Sequence, residues 1–181
     1  MSLKIYASGI KDLTSARYFS AMNVEILGFE VNTHNLEKIS EMIHWISVPF
    51  ISVEFHDTDP QITNFINTND WIDYIVTPLE FECLKPRFKI TTYDFLHTMD
   101  PADTNHIVKI EEPISHLNEV LPLLSNKPNV FVDIFNLSKD HIPLLIESNI
   151  YGLVMRAESE NKVGLQSFDH YDEIFEKLEQ L

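Results

Sequence analysis

Eight short runs of β-branched and aromatic residues recur along this chain, and they limit its fold more than any other feature. They are Lys4–Ser8, Glu25–Val31, Phe50–Phe55, Tyr74–Thr77, Phe88–Tyr93, His106–Glu111, Val130–Phe135 and Tyr151–Arg156. They are apolar enough to be covered on both faces, as parallel strands are. Parallel neighbours need a long crossover between them, and helical periodicity fills most of the gaps. Leu13–Met22 is amphipathic. Leu36, Ile39, Ile43 and Ile46 form one stripe over Leu36–Ile46, and Phe168, Tyr171, Phe175 and Leu178 form another over Phe168–Leu181. Ile114–Leu124 and Asp140–Glu147 also read as helices. The patterns at Asp59–Asn69 and Leu79–Lys85 are weaker, and Met99–Asn105 holds barely a turn. Asp59 caps its helix with Pro60 in the first turn, whereas Pro86 ends the next segment.

Strand and helix alternating every ~20–25 residues without a glycine-rich first turn predict a (β/α)8 barrel rather than an open doubly wound sheet. The barrel is expected to be a single domain over residues 1–181. Such barrels usually run from about 200 residues upward, so a chain of 181 residues implies a compact version with helices four and five reduced to loops. Missing helices would expose apolar strand faces, and pairing into a homodimer would hide them. A net charge of −15 with no lysine-arginine run excludes nucleic acid as a partner. No apolar stretch approaches the ~18 residues of a membrane span, and the first residues carry no apolar signal core. The single cysteine, Cys83, leaves no internal disulfide and fits a reducing, cytoplasmic setting.

The opening Lys4-Ile5-Tyr6-Ala7-Ser8-Gly9-Ile10, a helix, and then Leu27-Gly28-Phe29 resemble the start of the phosphoribosylanthranilate isomerases, the (β/α)8 barrels of tryptophan biosynthesis. That family begins with a lysine-containing strand, Cys-Gly-Ile, a helix rich in Asp and Ala, and a strand ending Leu-Gly-Phe. The resemblance is strong over residues 4–31 and fainter over 130–181. It implies an Amadori rearrangement. An aspartate closing strand six opens an aminated ribose ring, and the cysteine closing strand one removes the C2 proton. Phosphate is held by a Gly-Gly turn after strand seven and a Ser-Gly turn after strand eight.

At every one of these positions the chain departs from the family. The base position is Ser8, whose hydroxyl has no accessible anion near neutral pH without its own base, and none stands beside it in sequence. The acid position falls on Lys109, with Glu111 on the same face two residues on. Asp133-Ile134-Phe135-Asn136 replaces Gly-Gly, putting bulk and a negative charge where phosphate would sit. After strand eight, Arg156-Ala157-Glu158-Ser159-Glu160 keeps Glu160, and Gly164 follows where a turn glycine belongs, but Ser-Gly is gone. Arg156 is the best remaining anion-binding side chain.

Joint loss of base, acid and both phosphate turns predicts an isomerase-like barrel with lost or strongly weakened activity. The alternatives are an active isomerase working through substitute residues and a non-catalytic binding or regulatory scaffold. The expected ligand is a small anionic sugar phosphate or a partner protein, with no metal and no cofactor. Strand ends also carry Glu30, Glu54, Asp57, Asp94, Glu111, Asp133 and Glu158. If these converge, at least one should have a raised pKa and be able to do acid–base work. Cys83 reads as a small buried residue in a helical stretch, and Trp45 and Trp71 read as core packing.

Overall fold

A computed structural model of the chain describes residues 3–80, 83–92, 105–110, 114–134, 136–157 and 167–180. The strands are β1 Lys4–Ile10, β2 Ile26–Glu30, β3 Phe50–Glu54, β4 Tyr74–Val76, β5 Arg87–Thr92, β6 His106–Ile110, β7 Val130–Ile134 and β8 Gly152–Arg156. The helices are α1 Leu13–Ala21, α2 Leu36–Ile43, α3 Pro60–Thr68, α4 Ile114–Leu124, α5 Ile142–Glu147 and α6 Asp169–Glu179. The strands follow one another in chain order as a closed barrel, and every recorded pairing is parallel. The fold is therefore a (β/α)8 barrel with fewer than eight helices among the described residues. These residues cluster into two units, one of Lys4–Ile90 with Val154–Ala157 and one centred on Thr91–Leu153.

In the first unit the period of two along each strand separates two kinds of surface. Leu27, Phe29, Ile51, Val53 and Ile75 are buried on one face. The register aligns Gly28, Ser52 and Tyr74 as a row on the other face, and Glu30, Glu54 and Val76 as the next row toward the strand ends. This second face looks inward. Tyr6 of β1 stacks on Phe88 of β5 with ring centroids 6.0 Å apart, and Phe88 lies 5.0 Å from Tyr74. Local chemistry sets the helix starts. Asp12 caps α1 by accepting from the Ser15 N–H at 2.8 Å, and Asp59 caps α3 by accepting from Gln61 N–H at 2.7 Å, with Pro60 next.

The segment between β4 and β5 is not helical among its described residues, contrary to the weak pattern over Leu79–Lys85. Pro78 and Pro86 push the residues before them out of the helical region. Thr77 Oγ1 accepts from the Leu79 N–H at 3.2 Å, which closes a turn instead. Cys83 is consequently half-buried outside any helix, and Leu84 is fully exposed. Among the described residues of β4 and β5, the apolar Ile75, Val76 and Phe88 are buried. The residues of β5 on the face of Ile75 are Arg87, the exposed Lys89 and Thr91. Arg87 Nη2 donates to the Thr77 carbonyl at 2.8 Å, tying the shortened loop to the strand. Met99–Asn105 lies largely outside the described residues.

In the second unit β6, β7 and β8 run side by side, with Val108 paired to Val132 and Val132 to Leu153. Leu117, Val120, Leu121 and Leu124 of α4 are buried, as are Ile142 and Leu145 of α5 and Tyr171, Ile174 and Phe175 of α6. A 3-10 turn, Lys139–His141, leads into α5, where Ser138 and His141 cap each other reciprocally. Left-handed turns that glycine usually makes are made by asparagine. Asn23, Asn126, Asn129, Asn136 and Asn149 all have φ between 52° and 58°. Asn126 and Asn149 also lock together: the Asn126 N–H donates to the Asn149 carbonyl at 3.1 Å, and Asn149 Nδ2 donates to Asn126 Oδ1 at 3.2 Å.

Trp45 is not core; it is 68% exposed beyond the end of α2. Trp71 is half-buried, edge-on to Phe65 with its Nε1 donating to Asn69 Oδ1 at 2.9 Å. The contrast with Phe131, 1% exposed and edge-on to Tyr151, yields a prediction. Phe131→Ala should lower unfolding stability by about 3–5 kcal/mol in urea denaturation. Trp45→Ala should change it by less than about 1 kcal/mol. Equal effects from the two would contradict this division of core and surface.

Candidate active site

Ser8 closes the inward row of β1, and what the sequence hid is its neighbour. Ser8 Oγ donates to Glu54 Oε2 at 3.1 Å, a carboxylate brought from the end of β3, 46 positions along the chain. Parallel registry does this. Each strand returns to the same end of the sheet, so Ser8, Glu30 and Glu54 all arrive at the carboxyl ends of β1, β2 and β3. Gly9, with φ of 74°, turns its backbone so that its N–H also bonds Glu54. The strand beside β1 is β8, where the Ala157 N–H donates to the Ser8 carbonyl at 2.8 Å.

Below the carboxylate, Tyr6 OH donates to Glu54 Oε1 at 2.5 Å and lies 2.9 Å from Ser52 Oγ. Burial is the main influence on Glu54 and pushes its pKa from 4.5 up to about 7. Hydrogen bonds from Tyr6, Ser8 and Gly9 pull in the opposite direction, and the nearby Glu30 adds to the rise. Glu30 is Glu54's register partner on β2 and is held by Lys11 Nζ at 2.9 Å. One carboxyl is thus near neutral and its neighbour is charge-paired, the asymmetry that lets two carboxyls take different proton-transfer roles.

Of the other sequence candidates, Arg156 belongs to the same unit as Ser8, and Lys109, Asp133 and Asn136 belong to the second unit. Lys109 is half-buried on β6 and is the register partner of Asp133 on β7, so the two share a face. Asp133 is buried, with 4% of its surface exposed. Asn136 is exposed, and its φ of 52° keeps the left-handed turn that a glycine would make after β7. Arg156 is exposed at the end of β8. Glu111, Glu160 and Gly164 lie outside the described residues, as do Asp94 and Glu158. Of the strand-end carboxylates, Glu30 and Glu54 meet. Among the described residues no group of three or more His, Cys, Asp and Glu gathers into a metal-sized cluster, and no helix is long and apolar enough to cross a membrane. Sequence reasoning missed Glu54 as the partner of Ser8 because the contact spans two crossovers. The available signal was that both residues end an inward strand row.

No family model matches the sequence, and no curated protein matches it. Solved structures do. Phosphoribosyl anthranilate isomerase from Thermus thermophilus superposes with a TM-score of 0.71 at 12% identity, covering 98% of this chain and 99% of that one. A monomeric form of the dimeric enzyme from Thermotoga maritima gives 0.73 at 11% identity, covering 99% and 100%. A phosphoribosyl anthranilate isomerase bound to reduced 1-(o-carboxyphenylamino)-1-deoxyribulose 5-phosphate gives 0.66 at 12% identity, covering 99% and 100%. At these identities the likeness speaks for architecture: this chain has the (β/α)8 barrel fold seen in the phosphoribosylanthranilate isomerases.

Proposed function

We propose that this chain is a phosphoribosylanthranilate isomerase-like barrel, one domain over residues 1–181. In it the isomerase reaction is lost or strongly weakened, and proton transfer has moved to the Ser8–Glu54 pair. The observation that carries this reading is Glu54 itself, a carboxyl with a pKa of about 7 hydrogen-bonded to the residue at the family's base position. A group with that pKa is populated in both forms at neutral pH, where general acid–base catalysis is most effective. Ionised Glu54 supplies the base that a serine hydroxyl needs. As Ser8 Oγ takes a proton from a ligand, its own proton passes to Glu54 Oε2, and the reverse transfer returns it.

The ligand proposed is a small anionic sugar phosphate, with the Arg156 guanidinium on the strand beside Ser8 as its anion contact. Lys109 at the acid position, and Asp133 and Asn136 in place of Gly-Gly, argue for weakened turnover of the family substrate. Loss of one positioned acid or base costs about 10²–10⁴-fold.

The direct test follows loss of phosphoribosylanthranilate fluorescence with the native chain, Ser8→Cys and Glu54→Gln. Native turnover should lie at least ~10³-fold below that of an enzyme with the cysteine base. Ser8→Cys should raise it and Glu54→Gln should lower it about tenfold or more. Turnover matching the family enzymes would overturn the weakened reading. Carboxyl 13C NMR serves if the chain is silent, because a Glu54 midpoint near 4.5 instead of 7 removes the proton-transfer role.

Stability should carry the same signature. Glu54's pKa is raised in the fold from 4.5 to about 7. Its contribution is therefore full below about pH 4.5 and is lost as pH rises through 7, by about 3 kcal/mol. Glu54→Gln should abolish this part of the pH dependence and make the protein more stable than native above pH 7. Identical pH–stability curves for the two in urea would refute the shift.

A further inference from the structure

Tyr6 is fully buried, with its ring stacked on Phe88. When Glu54 is ionised its Oε1 only accepts, so Tyr6 OH donates to it and the Tyr6 oxygen is left to accept from Ser52, and a directional chain runs Ser52 to Tyr6 to Glu54. Gly28 makes room for that chain. Its backbone is ordinary strand, but a Cβ there would lie 2.7 Å from both the Tyr6 ring edge and its hydroxyl and would collide with Glu54 Oε1. The glycine is required for space and not for backbone conformation. The two carboxyl oxygens are thereby distinguished: Oε1 is fixed inward by Tyr6, and Oε2 meets Ser8.

We infer that Tyr6 is a positioning residue that holds Glu54 Oε1 inside the barrel, so that proton exchange takes place only through Oε2 and the Ser8 hydroxyl. This rests on the reading of Glu54 as the proton-transfer group. Tyr6 touches no ligand; it acts by orienting the carboxyl and by stabilising its ionised form. The other groups facing Glu54 are Ser8 and the Gly9 N–H from β1 and Glu30 from β2, the last paired with Lys11. Val76, in register on β4, carries no charge.

The experiment is a 13C carboxyl NMR titration of the full chain labelled at glutamate, with Glu54 assigned by Glu54→Gln. Tyr6→Phe keeps the ring and removes the hydroxyl. Losing a hydrogen bond to the charged form should raise the Glu54 midpoint by about one pH unit or more. Ser52→Ala, which weakens Tyr6 as a donor, should move it the same way by less. A native midpoint near 7 that neither variant moves would overturn the inference while leaving the Glu54 reading intact. A native midpoint near 4.5 would overturn both. If Tyr6→Phe does not fold, the Ser52→Ala shift decides alone: an upward shift supports the inference, and no shift overturns it.

Discussion

Closing eight parallel strands into a barrel forces half of every strand's side chains into one narrow interior, and this constraint governs the rest of the molecule. A polar group placed there must find a partner within that small space, because water is excluded and an unmatched hydroxyl or carboxyl is costly. In the first unit the interior is filled by aromatic rings from β1, β4 and β5. Its polar atoms, Tyr6 OH, Ser52 Oγ and the Glu54 carboxyl, satisfy one another. The same packing that partly buries Glu54 also raises its proton affinity.

The strand-end geometry turns this packing requirement into a candidate site. Glu54 is the last residue of β3 and is half-buried, with Ser8 Oγ on its Oε2. Ser8 stands near the carboxyl end of β1, and its hydroxyl sets the chemistry around it. A thiol can ionise by itself; a hydroxyl needs a base, and β3 brings one at 3.1 Å. Glu30, matched to Glu54 in register but tethered to Lys11, keeps negative charge next to it without sharing its burial.

Much of the architecture was legible in the sequence because its signals are local. Strand runs, the Asp12 and Asp59 caps and the α4 boundaries follow from residue type within a few positions. The segment 79–85 misled because an apolar spacing says nothing about two flanking prolines until their backbone effects are weighed. Trp45 misled because a large aromatic at a helix end carries no sign of which way it points. The chain holds four glycines, yet among the described residues asparagine adopts the left-handed conformation at five positions. The Ser8–Glu54 contact was illegible for a different reason. It is made by registry across β1, β2 and β3, and registry depends on how the whole sheet closes.

The outward face of β5 has a consequence for how barrels shrink. A helix can be dropped from this architecture only if the strand beneath it can tolerate water. Here Lys89 and Arg87 stand where a covered strand would carry valine or isoleucine. A charged strand surface also disfavours edge-to-edge and face-to-face sticking between molecules. Anyone engineering a minimal barrel would therefore have to rewrite the strand and delete the helix in one step, since either change alone leaves a buried charge or a naked apolar face.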